Sequence, residues 1–131
     1  LRASLRSSGN PQPIILAQVE TFRKMESAIK RERFDNSILE MARELSSTFA
    51  ESTAYNFYSG NLELIHNNLP EAEKRLRFVL KYEQANVSAM VNLGHALKRM
   101  GRLQEAKSFF EGALSHDPNN TKAKIGLGKV D

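Results

Sequence analysis

The chain has 131 residues, 40% hydrophobic and 26% charged, which is ordinary globular composition and too apolar for a disordered chain. It has no cysteine, which excludes a disulfide framework and thiol chemistry without choosing a compartment. Its longest apolar runs, such as Phe78 to Leu80, fall far short of the roughly 18 residues that cross a membrane.

The net charge of +4 shifts the odds weakly toward acidic partners, although the cations are interspersed with glutamates instead of forming a block. The first residue is Leu1 and no secretory pattern follows it. A soluble piece of a longer protein is therefore expected, with the cytoplasm slightly favoured.

Residues 1–13 read as a flexible, serine-rich lead-in. Asn10 and Pro11 offer a helix start. Ile15, Val19, Phe22, Met25 and Ile29 then recur at helical spacing, which predicts a first helix ending near Arg31. Asp35 caps a second helix with Ile38, Met41, Ala42, Leu45 and Phe49 inward. Ser52 caps a third, with Tyr55, Tyr58, Leu62 and Ile65 on one face.

Asn68 and Glu71 have the spacing of a capping box, with Pro70 in the first turn of a fourth helix through Ala72, Leu76, Val79 and Leu80. Asn86 caps a fifth through Met90, Leu93 and Leu97, and Gly101 supplies its left-handed C-cap. A sixth runs through Ala106, Phe109, Phe110, Ala113 and Leu114 to Asp117-Pro118, and Asn120 starts a seventh. No segment alternates with a period of two, so the chain reads as all-α.

Short links between helices suggest antiparallel hairpins, and these repeat. Ala72, Leu76, Val79 and Asn86 lie 34 residues before Ala106, Phe110, Ala113 and Asn120, and "LPEA" at 69–72 falls over "LQEA" at 103–106. Ile38, Ala42 and Leu45 fall 34 residues earlier again. For the first helix of each hairpin, a strict 34 sets polar Asn56, Ser59 and Glu63 over Met90, Leu93 and Leu97. A shift of 35 sets Tyr55, Tyr58 and Leu62 there instead, and so predicts one extra residue around His66 to Asn68.

Residues 87–120 resemble the tetratricopeptide repeat in carrying Met90, Leu93-Gly94, Leu97, Gly101, Ala106, Phe110, Ala113 and Pro118 at that family's signature spacing. They depart from it with Met90 where Trp is favoured and Leu97 where Tyr is favoured. Residues 52–86 match through Tyr55, Tyr58, Ser59, Leu62, Ala72 and Val79, with Gln84 in place of the proline. Residues 19–52 form a degenerate repeat, with Glu26 at the small-residue site, and 121–131 add a helix.

The resemblance implies a right-handed α-solenoid of antiparallel helical hairpins over 14–131. It also explains a glycine inside the fifth helix, where glycine costs about 1 kcal/mol relative to alanine. Gly94, Ser59 and Gly128 would mark the sites where paired helices approach closely.

No acid, base and nucleophile converge on a catalytic pattern, and His66, His95 and His116 are isolated from any metal-ligand spacing. The "GLGK" at 126–129 lies on a helix without the spacing of a phosphate loop. Glu71 and Glu105 recur at one place in the repeat, where capping accounts for them. No enzyme activity, cofactor or metal is expected.

In this family the first helix of each hairpin lines a concave face on which peptides lie. That implies a groove of Arg23, Lys24, Ser27, Lys30 and Arg31, then Asn56, Phe57, Gly60 and Glu63, then Val91, Asn92, His95, Lys98, Arg99 and Lys122. Of these, Arg23, Lys24, Asn56, Phe57, Asn92, His95, Lys98, Arg99 and Lys122 are the expected peptide-binding residues. Asn56 and Asn92 would bond a peptide backbone, and the cations would attract carboxylates.

Some relatives grip a chaperone's carboxylate terminus with a Lys and an Asn from one repeat, an Asn from the next, and a Lys and an Arg from the third. In the register of 19–128, Phe57 and Ser88 interrupt that pattern. Starting one hairpin later recovers Asn92 and Lys122, but Gly60 and Gly126 break it.

The function this implies is a non-catalytic protein-interaction module that takes a peptide or helix, acidic in the sharper version, as the scaffold part of a larger protein. The alternatives are an RNA-binding helical repeat, for which Phe57 is the sole groove aromatic, and a domain that self-associates or recruits substrate for an attached enzyme.

Overall fold

The computed structural model describes residues 13–31 and 34–130. The lead-in, apart from Pro13, lies outside the described residues, as do Asn10, Pro11, Asp131 and the side chains of Ile15 and Ile29. The described residues form seven α-helices and no strand. They are α1 (Pro13–Lys30), α2 (Asn36–Thr48), α3 (Thr53–Ile65), α4 (Leu69–Tyr82), α5 (Val87–Arg99), α6 (Leu103–His116) and α7 (Thr121–Val130). None is long and apolar enough to cross a membrane.

Side-chain oxygens start four of these helices by accepting an otherwise orphaned backbone N–H. Asp35 accepts from Ile38 N at 3.1 Å, Ser52 from Tyr55 N at 3.2 Å, Asn86 from Ala89 N at 3.0 Å and Asn120 from Ala123 N at 2.9 Å. The capping box expected at Asn68 does not form. The Asn68 amide donates to Glu63 Oε1 at 2.9 Å, and Glu71 accepts from Arg75 Nε at 3.0 Å. Glu105 likewise accepts from Arg102 and Arg77. A nearby cation outcompetes a backbone amide for each carboxylate.

Each helix packs on its neighbours in the chain, and α5 also touches α3 and α7. The odd-numbered helices thus form one layer and α2, α4 and α6 the other. Two main clusters of buried apolar residues result. Met25, Ala28, Ile38, Leu39, Ala42, Leu45 and Leu62 join α1, α2 and one side of α3. Leu76, Val79, Leu93, Leu97, Phe110 and Ala123, with others, join α4 to α7. In the outer layer Arg77 and Arg102 each pair with both Glu73 and Glu105, at 2.8 to 3.0 Å, which fastens α6 to α4.

The extra residue predicted near His66 is absent. Helices α3 and α5 begin at Thr53 and Val87 and end at Ile65 and Arg99, 34 residues apart at both ends. Their C-terminal turns also coincide. Asn67 and Gly101 are left-handed, at φ 63° and 81°, and the next amide bonds back to the Glu63 and Leu97 carbonyls at 2.8 and 2.9 Å. That is the hydrogen-bonded turn that ends helices with a left-handed residue.

The strict register means that Asn56, Ser59 and Glu63 do occupy the places of Met90, Leu93 and Leu97, and all three are buried. Ion pairs and hydrogen bonds replace apolar packing there. Arg43 donates to both oxygens of Glu63, at 2.9 and 2.8 Å, while Arg75 Nη1 donates to Asn56 Oδ1 at 3.0 Å. Tyr55, Tyr58 and Leu62 turn instead toward the cluster of α1 and α2. Ile65, expected on that buried face, is 51% exposed.

The close-approach site on α3 moves by the same residue, and the one on α7 moves by two the other way. A Cβ on Gly94 would lie 2.7 Å from Phe110 Cε1, as its place in the signature implies. Its counterpart in the preceding hairpin is Gly60, whose Cβ would lie 3.0 Å from Leu76 Cγ, and not Ser59. Gly128 has nothing within 4 Å, whereas a Cβ on Gly126 would lie 2.5 Å from Phe110 Cζ. The Phe110 ring is fully buried between α5 and α7, and those two glycines make room for it.

Candidate functional site

One side of α3 carries Phe57, Asn61 and Ile65, spaced four apart and so aligned along the helix, with Phe57 partly buried against the cluster of α4 to α7. With Asn92 of α5, Lys122 of α7 and Phe34 from the α1–α2 link, they line a groove of about 370 Å³, a size that suits a few residues of a bound chain. Asn92 Nδ2 donates to Asn61 Oδ1 at 2.8 Å. That bond leaves Asn61 Nδ2 as a donor and Asn92 Oδ1 as an acceptor for a ligand. Lys122 is exposed and makes no ion pair among the described residues. Among the described residues, no carboxylate lines the groove.

The structure brings Phe57, Asn92 and Lys122 together and places the other expected residues elsewhere. Asn56 is 3% exposed, and its amide is consumed inside the fold. Its nitrogen donates to the Ala50 and Ser52 carbonyls at 2.9 and 2.8 Å while its oxygen accepts from Arg75, so it offers nothing to a peptide. Gly60, Glu63 and Val91 are buried as well. His95 packs edge-on against Phe110, with centroids 5.0 Å apart.

Arg99 Nη1 donates to the Leu64 carbonyl at 3.1 Å, which ties α5 to the end of α3. Lys98 is half-buried and does not line the groove. Arg23 and Lys24 line a separate cleft between α1 and α2, together with Ser27 and Arg31. Lys24 also faces Glu20 at 3.8 Å.

Asn61, Phe34 and Ile65 were missed as groove residues. The 35-residue shift set Gly60 opposite His95, and the true register sets Asn61 there, so an alignment on the loop residues Asn67 and Gly101 would have found it. Phe34 stands outside any helical period, and no sequence signal marks it.

A charged cluster lies on the other side of α3, around Glu63. Burial opposes ionisation of this carboxyl, but hydrogen bonds from Arg43 and Asn68 more than offset it and hold Glu63 below the usual carboxylate range. The same bond raises the Arg43 guanidinium above its ordinary value. This cluster joins α2, α3 and the start of α4. Among the described residues, no three His, Cys, Asp or Glu side chains are grouped to hold a metal ion.

Residues 63–123 match the family model described as tetratricopeptide repeat. The DnaJ homolog subfamily C member 7 homolog of Schizosaccharomyces pombe is 27% identical over 95 residues, which cover 72% of this chain. The match spans only 20% of that protein's length.

Among solved structures, the Arabidopsis OM64 TPR domain aligns with a TM-score of 0.77 at 22% identity, covering 87% of this chain and 93% of that one. The second TPR domain of human RPAP3, in complex with the HSP70 peptide SGPTIEEVD, aligns at 0.74 with 20% identity, covering 88% and 95%. The first TPR of Spaghetti (RPAP3), bound to the HSP90 peptide SRMEEVD, aligns at 0.75 with 17% identity, covering 86% and 89%. Residues 63–123 thus match the tetratricopeptide-repeat model, and the described chain shares the helical-hairpin fold of these TPR domains.

Proposed function

We propose that the chain is a non-catalytic protein-interaction module whose concave groove holds an extended peptide by its carboxylate. The observation that carries this reading is the Asn61–Asn92 amide pair in one groove with Lys122, which has no ion-pair partner, and with no carboxylate in the lining, among the described residues. Asn61 Nδ2 and Lys122 Nζ supply donors to an anionic oxygen, and Asn92 Oδ1 accepts from a peptide N–H.

The register of 34 strengthens the likeness to the carboxylate-gripping relatives. Asn61, Asn92 and Lys122 stand at three of their five places, with Phe57 and Gly126 where the first and last cations would be. Two neighbours of the same fold hold peptides that end in EEVD, which supports an acidic ligand here.

The test is fluorescence anisotropy with labelled SRMEEVD, its C-terminally amidated form and a scrambled control. Saturable binding is expected, weakened about tenfold by amidation and by Lys122→Glu, since one lost charge-assisted bond is worth about 1.5 kcal/mol or more. If no peptide binds saturably, or if Lys122→Glu and Asn92→Ala both bind like the parent, the groove is not the binding site.

A further inference from the structure

We infer that the groove prefers a peptide with one carboxylate beside a bulky apolar residue over a peptide with consecutive carboxylates. This rests on the reading of the groove as a peptide site and names the class of peptide it takes. Lys122 is the one cation among the lining residues, and across from it stand Phe57, Phe34 and half-exposed Ile65.

Among the described residues, the fold supplies no second cation. On α7, one turn after Lys122, stands Gly126, and a side chain there would be driven into the buried Phe110 ring at 2.5 Å. On α5, the Arg99 guanidinium is bound to the Leu64 carbonyl and Lys98 does not line the groove. The cations of α1 face a different cleft.

A first carboxylate therefore meets Lys122 and the Asn61 amide. A second, placed on the aromatic wall, would shed water without gaining a partner, which is costly for a charge. An apolar side chain on that wall gains from burial instead, up to about 1.5–3 kcal/mol for a large one.

The experiment compares SRMEEVD with three variants in which leucine replaces the aspartate, the aspartate and the second glutamate, or all three acids, the last keeping only its C-terminal carboxylate, by anisotropy against the intact chain. At least one leucine peptide should bind threefold or more tighter than the parent, and that gain should vanish when its C-terminus is amidated. Ile65→Lys, at an exposed position, should reverse the order in favour of SRMEEVD, and so should Phe57→Lys if circular dichroism shows unchanged helicity.

If SRMEEVD outbinds every leucine peptide, or if Ile65→Lys leaves the order unchanged, the preference is wrong while the peptide groove stands. If none of the four binds saturably, both the groove reading and the preference fall.

Discussion

Glu63→Gln tests the idea that a polar cluster replaces the apolar core of the second hairpin. Wild-type Glu63 is fully buried and accepts two bonds from Arg43 and one from Asn68, at 2.8 to 2.9 Å. Glutamine preserves the shape and one acceptor, but it turns an amide NH2 toward a guanidinium and removes the charge. Breaking a fully buried pair costs about 3–5 kcal/mol. The Arg43 side chain is 48% exposed and regains water, so a loss of about 2 kcal/mol is expected at pH 7. For a domain of this size that is a fall of roughly 8 °C in Tm.

The carboxyl lies below its ordinary value in the folded chain. Its stabilisation is therefore complete above the unfolded value of 4.5 and is lost as pH falls through the lowered folded value. Urea unfolding of both proteins at pH 7, 5, 4 and 3 should show the gap narrowing toward acid. A gap under about 0.5 kcal/mol at pH 7, or one that does not narrow between pH 5 and 3, would refute the reasoning. Arg43→Ala leaves the carboxylate buried with Asn68 alone and should cost more than Glu63→Gln at pH 7.

Three further substitutions read the packing. Gly94→Ala gains about 1 kcal/mol of helix propensity, but it sets a methyl 2.7 Å from a fully buried ring. Denaturant titration should show a net loss of about 1–2 kcal/mol. Gly112→Ala, whose Cβ would meet only Met90 Sδ at 3.8 Å, should stabilise by about 0.5–1 kcal/mol. A loss there as large as that of Gly94→Ala would contradict the steric account. Ser59 Oγ is buried without a hydrogen-bond partner, so Ser59→Ala should be neutral or stabilising by up to about 1 kcal/mol in the same assay.

The helices and most of their starts were legible because each rests on local physics: apolar residues at helical spacing and an Asp, Ser or Asn where orphaned amides need an acceptor. The register of the second hairpin was not. Apolar matching pulled Tyr55, Tyr58 and Leu62 onto the places of Met90, Leu93 and Leu97 because it assumes that a buried site is apolar. Asn56 and Glu63 are buried with partners from α2 and α4, and nothing in their own helix announces Arg43 or Arg75. Asn67 and Gly101 carried the right answer, since a non-glycine residue with positive φ is most often Asn.

The register error also concealed how α3 divides its duties. Tyr55, Tyr58 and Leu62 pack it on α1 and α2, Asn56 and Gly60 meet α4, and Glu63 bonds Arg43 of α2 and Asn68. Asn61, Ile65 and the part of the Phe57 ring that does not pack on the α4–α7 cluster remain for a ligand. The equivalent line on α5 is Val91, His95 and Arg99, and it has no such freedom. Val91 is buried, His95 lies on Phe110 and Arg99 bonds the Leu64 carbonyl. Groove chemistry therefore resides mainly on α3, with one residue each from α5 and α7. Substitutions at 61 and 65 should change peptide preference with little effect on unfolding, and Glu63→Gln should do the reverse. If Ile65→Lys and Glu63→Gln each moved both quantities together, the two faces of α3 would not be separate.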